Sequence, residues 1–106
     1  MAKTNLIKAS SYKEAKMIFR AIDNPKRLEI LNILEKETEC SVSFLCEKTG
    51  MLFQVASLHL RVLKKNNLVI CEVGSDGRNR LYRLNKERIA FVNNAADDLV
   101  SKMAKK

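Results

Sequence analysis

Apolar residues recur at helical spacing along most of this chain, and the period changes only once. Between Ser11 and Asp23, the residues Ala15, Ile18, Phe19 and Ile22 share one face, which predicts an amphipathic helix. Ser10 or Ser11 offers its cap, with Glu14 at capping-box distance from Ser11. Asp23-Asn24-Pro25 ends it, because the residue before a proline avoids the helical region. Asn24 and Pro25 then suit the cap and first turn of a second helix. Leu28, Leu31 and Leu34 line that helix, and Ile30 and Ile33 widen the stripe, so burial on more than one side is expected.

A polar turn is expected at Thr38 to Cys40, then a short helix from Ser41 to Lys48 with Val42, Leu45 and Cys46 inward. Thr49-Gly50 closes it, with glycine in its usual place past a helix end. A fourth helix spans Phe53 to Lys65, with periodic positions at Val55, Ala56, His59, Leu60, Val62 and Leu63, and Asn66-Asn67 stops it. The period then shortens. Leu68 to Val73 reads as a strand, Gly74 to Gly77 as a turn carrying the Asp-Gly hairpin signal, and Arg80 to Leu84 as the returning strand. Asn85 caps a last helix over Lys86 to Met103, striped by Ile89, Val92, Ala96, Leu99, Val100 and Met103.

The expected fold is therefore mainly α with a two-stranded β-hairpin: four helices, the hairpin, and a fifth helix, in one domain over residues 1–106. The third and fourth helices are joined by the short link Thr49-Gly50-Met51-Leu52, the connection of a helix-turn-helix. The hairpin after it stands where a wing would.

Charge and chemistry sharpen this picture. The chain carries 20 Lys and Arg against 12 Asp and Glu, a net +8, which suits a polyanionic partner as readily as a merely basic surface. A single histidine, three glycines, and no phosphate loop, nucleophile elbow or HExxH argue against an enzyme. The first residues lack the apolar stretch of a secretory signal, and no apolar run is long enough to span a bilayer. With three cysteines, an odd number, reduced thiols in a cytoplasm are expected.

Three segments resemble the ArsR/SmtB-type winged-helix repressors. Phe19-Arg20-Ala21-Ile22-Asp23-Asn24-Pro25-Lys26-Arg27-Leu28-Glu29-Ile30-Leu31 is similar to that family's ALADPTRLRIL stretch. Ser57-Leu58-His59-Leu60-Arg61-Val62-Leu63 resembles its S-x-H-L-x-x-L recognition helix, and Asn67-Leu68-Val69 follows where the family often has Gly-Leu-Val. Gly77 to Leu84 resembles its GR-x-x-x-Y-x-L wing return. The resemblance covers Ile18 to Leu84, and implies a homodimeric repressor binding a pseudo-palindromic duplex operator. Two departures stand out. Met51-Leu52-Phe53 occupies the place of a polar cap and Gln, and Leu58 replaces a residue that is commonly polar or basic.

In such a fold the fourth helix enters the major groove. Gln54, Ser57 and Arg61 form a polar face on it: Gln can pair with adenine, Arg with guanine, and Ser with either or with phosphate. Leu58 either reads a thymine methyl or weakens base readout. His59 is either a half-buried junction residue or a phosphate contact; with no second histidine, a metal or catalytic role is disfavoured. Lys64 and Lys65 complement the helix dipole or meet phosphate, and Arg78 and Arg80 in the wing reach the backbone or minor groove, with Arg83 and Lys86 beyond.

The first and last helices, through Ala15, Ile18, Phe19, Ile22, Ile89, Val92, Ala96, Leu99, Val100 and Met103, either pack on a second copy or close one protomer's core. Family-type metal sites are not expected. Ser41 and Ser43 stand where a Cys-x-Cys pair would, and the last helix offers Asp97 and Asp98 without a histidine. No cofactor is expected, and the residues name no effector. Cys40 and Cys46 leave a thiol switch open against the plainer reading of cysteines as small core residues. A protein-interaction module, suggested by the apolar Met51-Leu52-Phe53, is the other alternative.

Overall fold

The structure, a computed structural model, describes residues 9–94. Its elements in chain order are α1 (Ala9–Ile22), α2 (Pro25–Glu37), β1 (Cys40–Ser41), α3 (Val42–Thr49), α4 (Phe53–Lys65), β2 (Val69–Val73) and β3 (Arg80–Leu84). A further helix, α5, begins at residue 86 and is described to residue 94. Ala96, Leu99, Val100 and Met103, and the acidic pair Asp97 and Asp98, lie outside the described residues.

The local signals act as their chemistry requires. Asn24 is extended, and its side-chain oxygen accepts from the amides of Lys26 and Arg27, while Pro25 opens α2. Ser41 caps α3 by accepting from the Phe44 amide, so it precedes that helix instead of opening it. α1 starts at Ala9, which places Ser10 and Ser11 inside the helix and not at its cap. Asn85 accepts from the Arg88 amide at the head of α5. At the end of α4 the chain turns through Asn67, whose φ of 61° lies in the left-handed region. Asparagine tolerates that conformation better than most side chains.

The hairpin is part of a three-stranded antiparallel sheet, not a two-stranded one, ordered β1-β3-β2. The added strand is Cys40–Ser41, part of which was expected as a polar turn. Two residues are too few to display an alternating pattern, so nothing local announces the strand. It exists because β3 offers it an edge: Cys40 faces Tyr82 and Ser41 faces Leu81. Tyr82 also faces Cys71 on β2, so Cys40, Tyr82 and Cys71 form one row across the sheet. Leu68, expected at the head of the strand, precedes it and is fully buried, its amide bonded to the Leu63 carbonyl.

One core joins the elements. Ile30 and Leu34 of α2, Leu45 of α3, Leu60 and Leu63 of α4, and Leu68 are its largest fully enclosed side chains. Each such residue contributes about 1.5–3 kcal/mol of apolar burial. Ile18 of α1 and Val92 of α5 belong to this same core, with Ile22 and Ile89 packed against it. These four, expected as candidates for contact with a second copy, thus bury apolar surface inside their own protomer. Ala15 is half-buried. Among the described residues of α1 and α5, the expected contact Phe19 stays exposed at 38%, as do Met17 at 42% and Phe91 at 60%.

Candidate nucleic-acid interface

The helix-turn-helix is built at Gly50. The glycine caps α3 in the left-handed region at φ 76°, and its amide bonds to the Cys46 carbonyl. Thr49 ties the same corner, donating from Oγ1 to the Leu45 carbonyl and accepting from the Met51 amide. Met51 turns inward into the core, while Leu52 and Phe53 stay exposed. Leu52 supplies no side-chain cap to α4, so the first-turn amides remain open to water or to an anion.

Ala56, Leu60 and Leu63 press one side of α4 into the core and set its rotation. The opposite side then carries Gln54, Leu58, Arg61 and Lys65, all exposed, with Lys64 also exposed and Ser57 half-buried beside them. Of the residues expected to face a duplex from this helix, Gln54, Leu58, Arg61, Lys64 and Lys65 are exposed, and Ser57 and His59 are half-buried on its flanks.

His59 sits at the junction. Arg27, on α2, donates from Nε to His59 Nδ1 at 3.2 Å and from Nη1 to the Ala21 carbonyl at 3.2 Å. The same nitrogen also approaches the Arg20 carbonyl at 3.4 Å. One guanidinium thus fastens the end of α1 to the flank of α4. Partial burial holds the imidazole below its ordinary value of 6.5, helped by the positive charges of Arg27 and Lys26. Its Nδ1 must carry the lone pair, which leaves Nε2 as the donor.

The wing tip is ordered by Asp76. Its Oδ1 accepts from the amides of Arg78 and Asn79, and its Oδ2 accepts from the Asn79 side chain at 2.7 Å. Those bonds, led by the Arg78 amide, hold the carboxyl below the usual carboxylate range. Gly77 takes the left-handed turn position at φ 74°. Arg78 in this loop and Arg80 at the head of β3 are both exposed. Arg83, further along, is already paired with Glu72 at 2.9 Å across the hairpin, and Arg88 with Glu14 at 2.7 Å. A cleft of about 270 Å³ separates wing from helix, lined by Phe53, Arg78, Asn79, Arg80 and the Ser41–Ser43 corner. The wing arginines and the head of α4 therefore border one concavity.

Residue type and spacing gave the candidate contact positions but not the residues that shape the surface around them. The roles of Arg27 and Phe53 emerge only from tertiary contact. For Asp76 a local signal existed, since Asp ahead of Gly in a turn bonds its own backbone.

Cys40 points away from redox chemistry, and Cys46 is half-buried. Cys40 is buried, and burial, then the charges of Glu37 and Glu39, push its thiol up from 9.0. A reactive thiol needs the opposite shift and access. Tyr82 stands between Cys40 and Cys71 in the sheet row. Among the described residues no group of three His, Cys, Asp or Glu side chains could hold a metal ion, and no helix could cross a membrane.

Residues 24–70, from the cap of α2 into β2, match the family model for bacterial regulatory proteins of the arsR family. The chain is 32% identical over 87 residues to the arsenical resistance operon repressor of Staphylococcus xylosus, covering 82% of this chain and 81% of that one. Its fold matches a homodimeric winged helix-turn-helix DNA-binding domain from Mycobacterium bovis, with TM-score 0.73 and 27% identity, over 96% of this chain and 91% of that one. An ArsR-like transcriptional regulator from Rhodococcus shares the fold at TM-score 0.76 and 23% identity, over 92% and 89% of the two chains. With this fold, these surfaces and these relatives, the chain belongs to the arsR family of bacterial regulatory proteins: it is a winged helix-turn-helix, DNA-binding transcription regulator and not an enzyme.

Proposed function

We propose that this regulator is a homodimeric repressor of the cytoplasm that seats α4 in the major groove of a pseudo-palindromic operator. The observation that carries this reading is the exposed polar and basic face of α4 together with one cleft that Phe53, at the head of α4, shares with Arg78 and Arg80 of the wing. Gln54, Ser57, Leu58 and Arg61 face the base edges. Lys64, Lys65, Arg78 and Arg80 meet phosphate or the minor groove, and His59 donates from Nε2 to the backbone. The repressor role is supported by the Staphylococcus xylosus relative, which bears that name.

The dimer reading is supported by the homodimeric Mycobacterium bovis domain and by Met17, Phe19 and Phe91, which leave apolar surface on the two outer helices. A two-fold axis through them would set two recognition helices about 34–36 Å apart, one helical turn of DNA.

The test is a gel shift on duplex DNA from the promoter of its own gene, across a range of salt. Binding should weaken with a log-log slope of several charges. Arg78→Ala and Arg80→Ala should weaken all duplexes alike, whereas Gln54→Ala should change preference among them. Sedimentation at micromolar concentration should show a dimer. Salt-insensitive binding, or three variants that all bind as the parent does, would end this docking scheme.

A further inference from the structure

The outer face of α4 has an odd centre. Gln54, Leu58, Arg61 and Lys65 lie on one line along the helix, opposite the buried line of Ala56, Leu60 and Leu63. Leu58 occupies the middle of that line and is 56% exposed. It has polar or charged residues at both ends, and no place in the core cluster or the cluster's partly buried margin. A leucine there is not needed by the core of the protomer.

We infer that Leu58 is a specificity residue that reads a thymine through its C5 methyl group. This rests on the docking proposed above. The occupant of the face is set by its surroundings: Arg61, Lys64 and Lys65 on α4 and Arg78 and Arg80 on the wing give it the charge of a polyanion's partner. Within a duplex major groove, the one apolar group on a base edge is the thymine methyl. An exposed leucine buried there gains apolar contact with thymine and loses it with cytosine. The rise from Gln54 to Leu58 is about 6 Å, and from Leu58 to Arg61 about 4.5 Å. Base pairs stack about 3.4 Å apart, so each neighbour addresses a step one or two away. Gln54 reaches adenine and Arg61 guanine by their ordinary pairings. Each half-site therefore holds an adenine, a thymine and a guanine read by three side chains in line. Phe53 is not part of this line, since it faces the wing cleft.

The experiment starts from duplexes enriched by the full-length chain from a random pool. The best duplex is then remade with deoxyuridine replacing thymidine at one position at a time, which deletes only the methyl. One position per half-site should lose about three- to fivefold in affinity, the effect of one methyl-sized apolar group. Leu58→Ala should bind the thymidine duplex more weakly and no longer distinguish it from the deoxyuridine duplex. Its thermal midpoint should stay unchanged, since the side chain is outside the core. Equal binding of the two duplexes by the parent chain, or undiminished discrimination by Leu58→Ala, overturns the inference while salt-dependent DNA binding stands. A pool from which nothing enriches overturns the docking itself.

Discussion

Arg27 Nε donates to His59 Nδ1 at 3.2 Å, tying the second helix to the recognition helix through one planar side chain. Its Nη1 holds the closing carbonyls of α1, so three helices converge on it. Arg27→Ala removes this fork and leaves the carbonyls unpartnered. Stability should fall by about 1–3 kcal/mol in urea unfolding. Arg27→Lys should restore little, because an ammonium cannot reproduce two divergent planar donors.

The same contact sets a pH dependence. The folded protein holds His59 below 6.5, so below that pH the unfolded chain binds its proton first. The stability owed to this group is therefore complete above about pH 6.5 and lost as pH falls through the depressed folded value. Urea midpoints at pH 7.5 and pH 5.0 should diverge more in the parent than in His59→Gln, whose amide does not titrate. Equal divergence would remove His59 as the source.

At the wing tip, two effects of one residue oppose each other. Asp76 carries negative charge toward a polyanion, yet it organises the loop that presents Arg78. Asp76→Ala should weaken DNA binding by about three- to tenfold, uniformly across sequences, because phosphate contacts carry little sequence information. Asp76→Asn keeps an acceptor and loses the charge, so it should bind at least as well as the parent. Fluorescence titration against one specific and one unrelated duplex distinguishes these outcomes.

Leu60 lies two residues beyond Leu58 but is fully buried. Leu60→Ala should cost about 2–5 kcal/mol of stability by opening a cavity. Its DNA affinity should fall only as its folded fraction falls. A well-folded Leu60→Ala chain with no affinity would mean that Leu60 faces the duplex and not the core.

Asn67 holds a left-handed φ of 61° between α4 and β2. Asn67→Gly should be neutral or slightly stabilising in thermal unfolding. Asn67→Val should cost about 1–3 kcal/mol, because a branched Cβ resists that conformation.

Much of this was visible in the order of residues. The limits of α4 and β3, the Asn24-Pro25 and Asn85 caps, and Gly50 all follow from side-chain and backbone chemistry within a few positions. The exposed stripe on α4 follows from a strong helical period. What stayed hidden depends on distant partners. Cys40–Ser41 becomes a strand only because β3 is beside it. Ile18 and Val92 read equally well as contacts with a second copy or as core, since periodicity gives a face but not what covers it. Arg27 looks like one more surface cation until His59, 32 residues away, is brought to it.

The short strand β1 has a mechanical consequence. It runs directly into α3, and pairing with β3 stitches the ribbon to the start of the helix-turn-helix. Reader helix and ribbon thus swing as a single block, with no internal joint to slacken one while the other grips. In the proposed dimer, release from DNA would then come from tilting whole blocks against each other and not from slackening one of them.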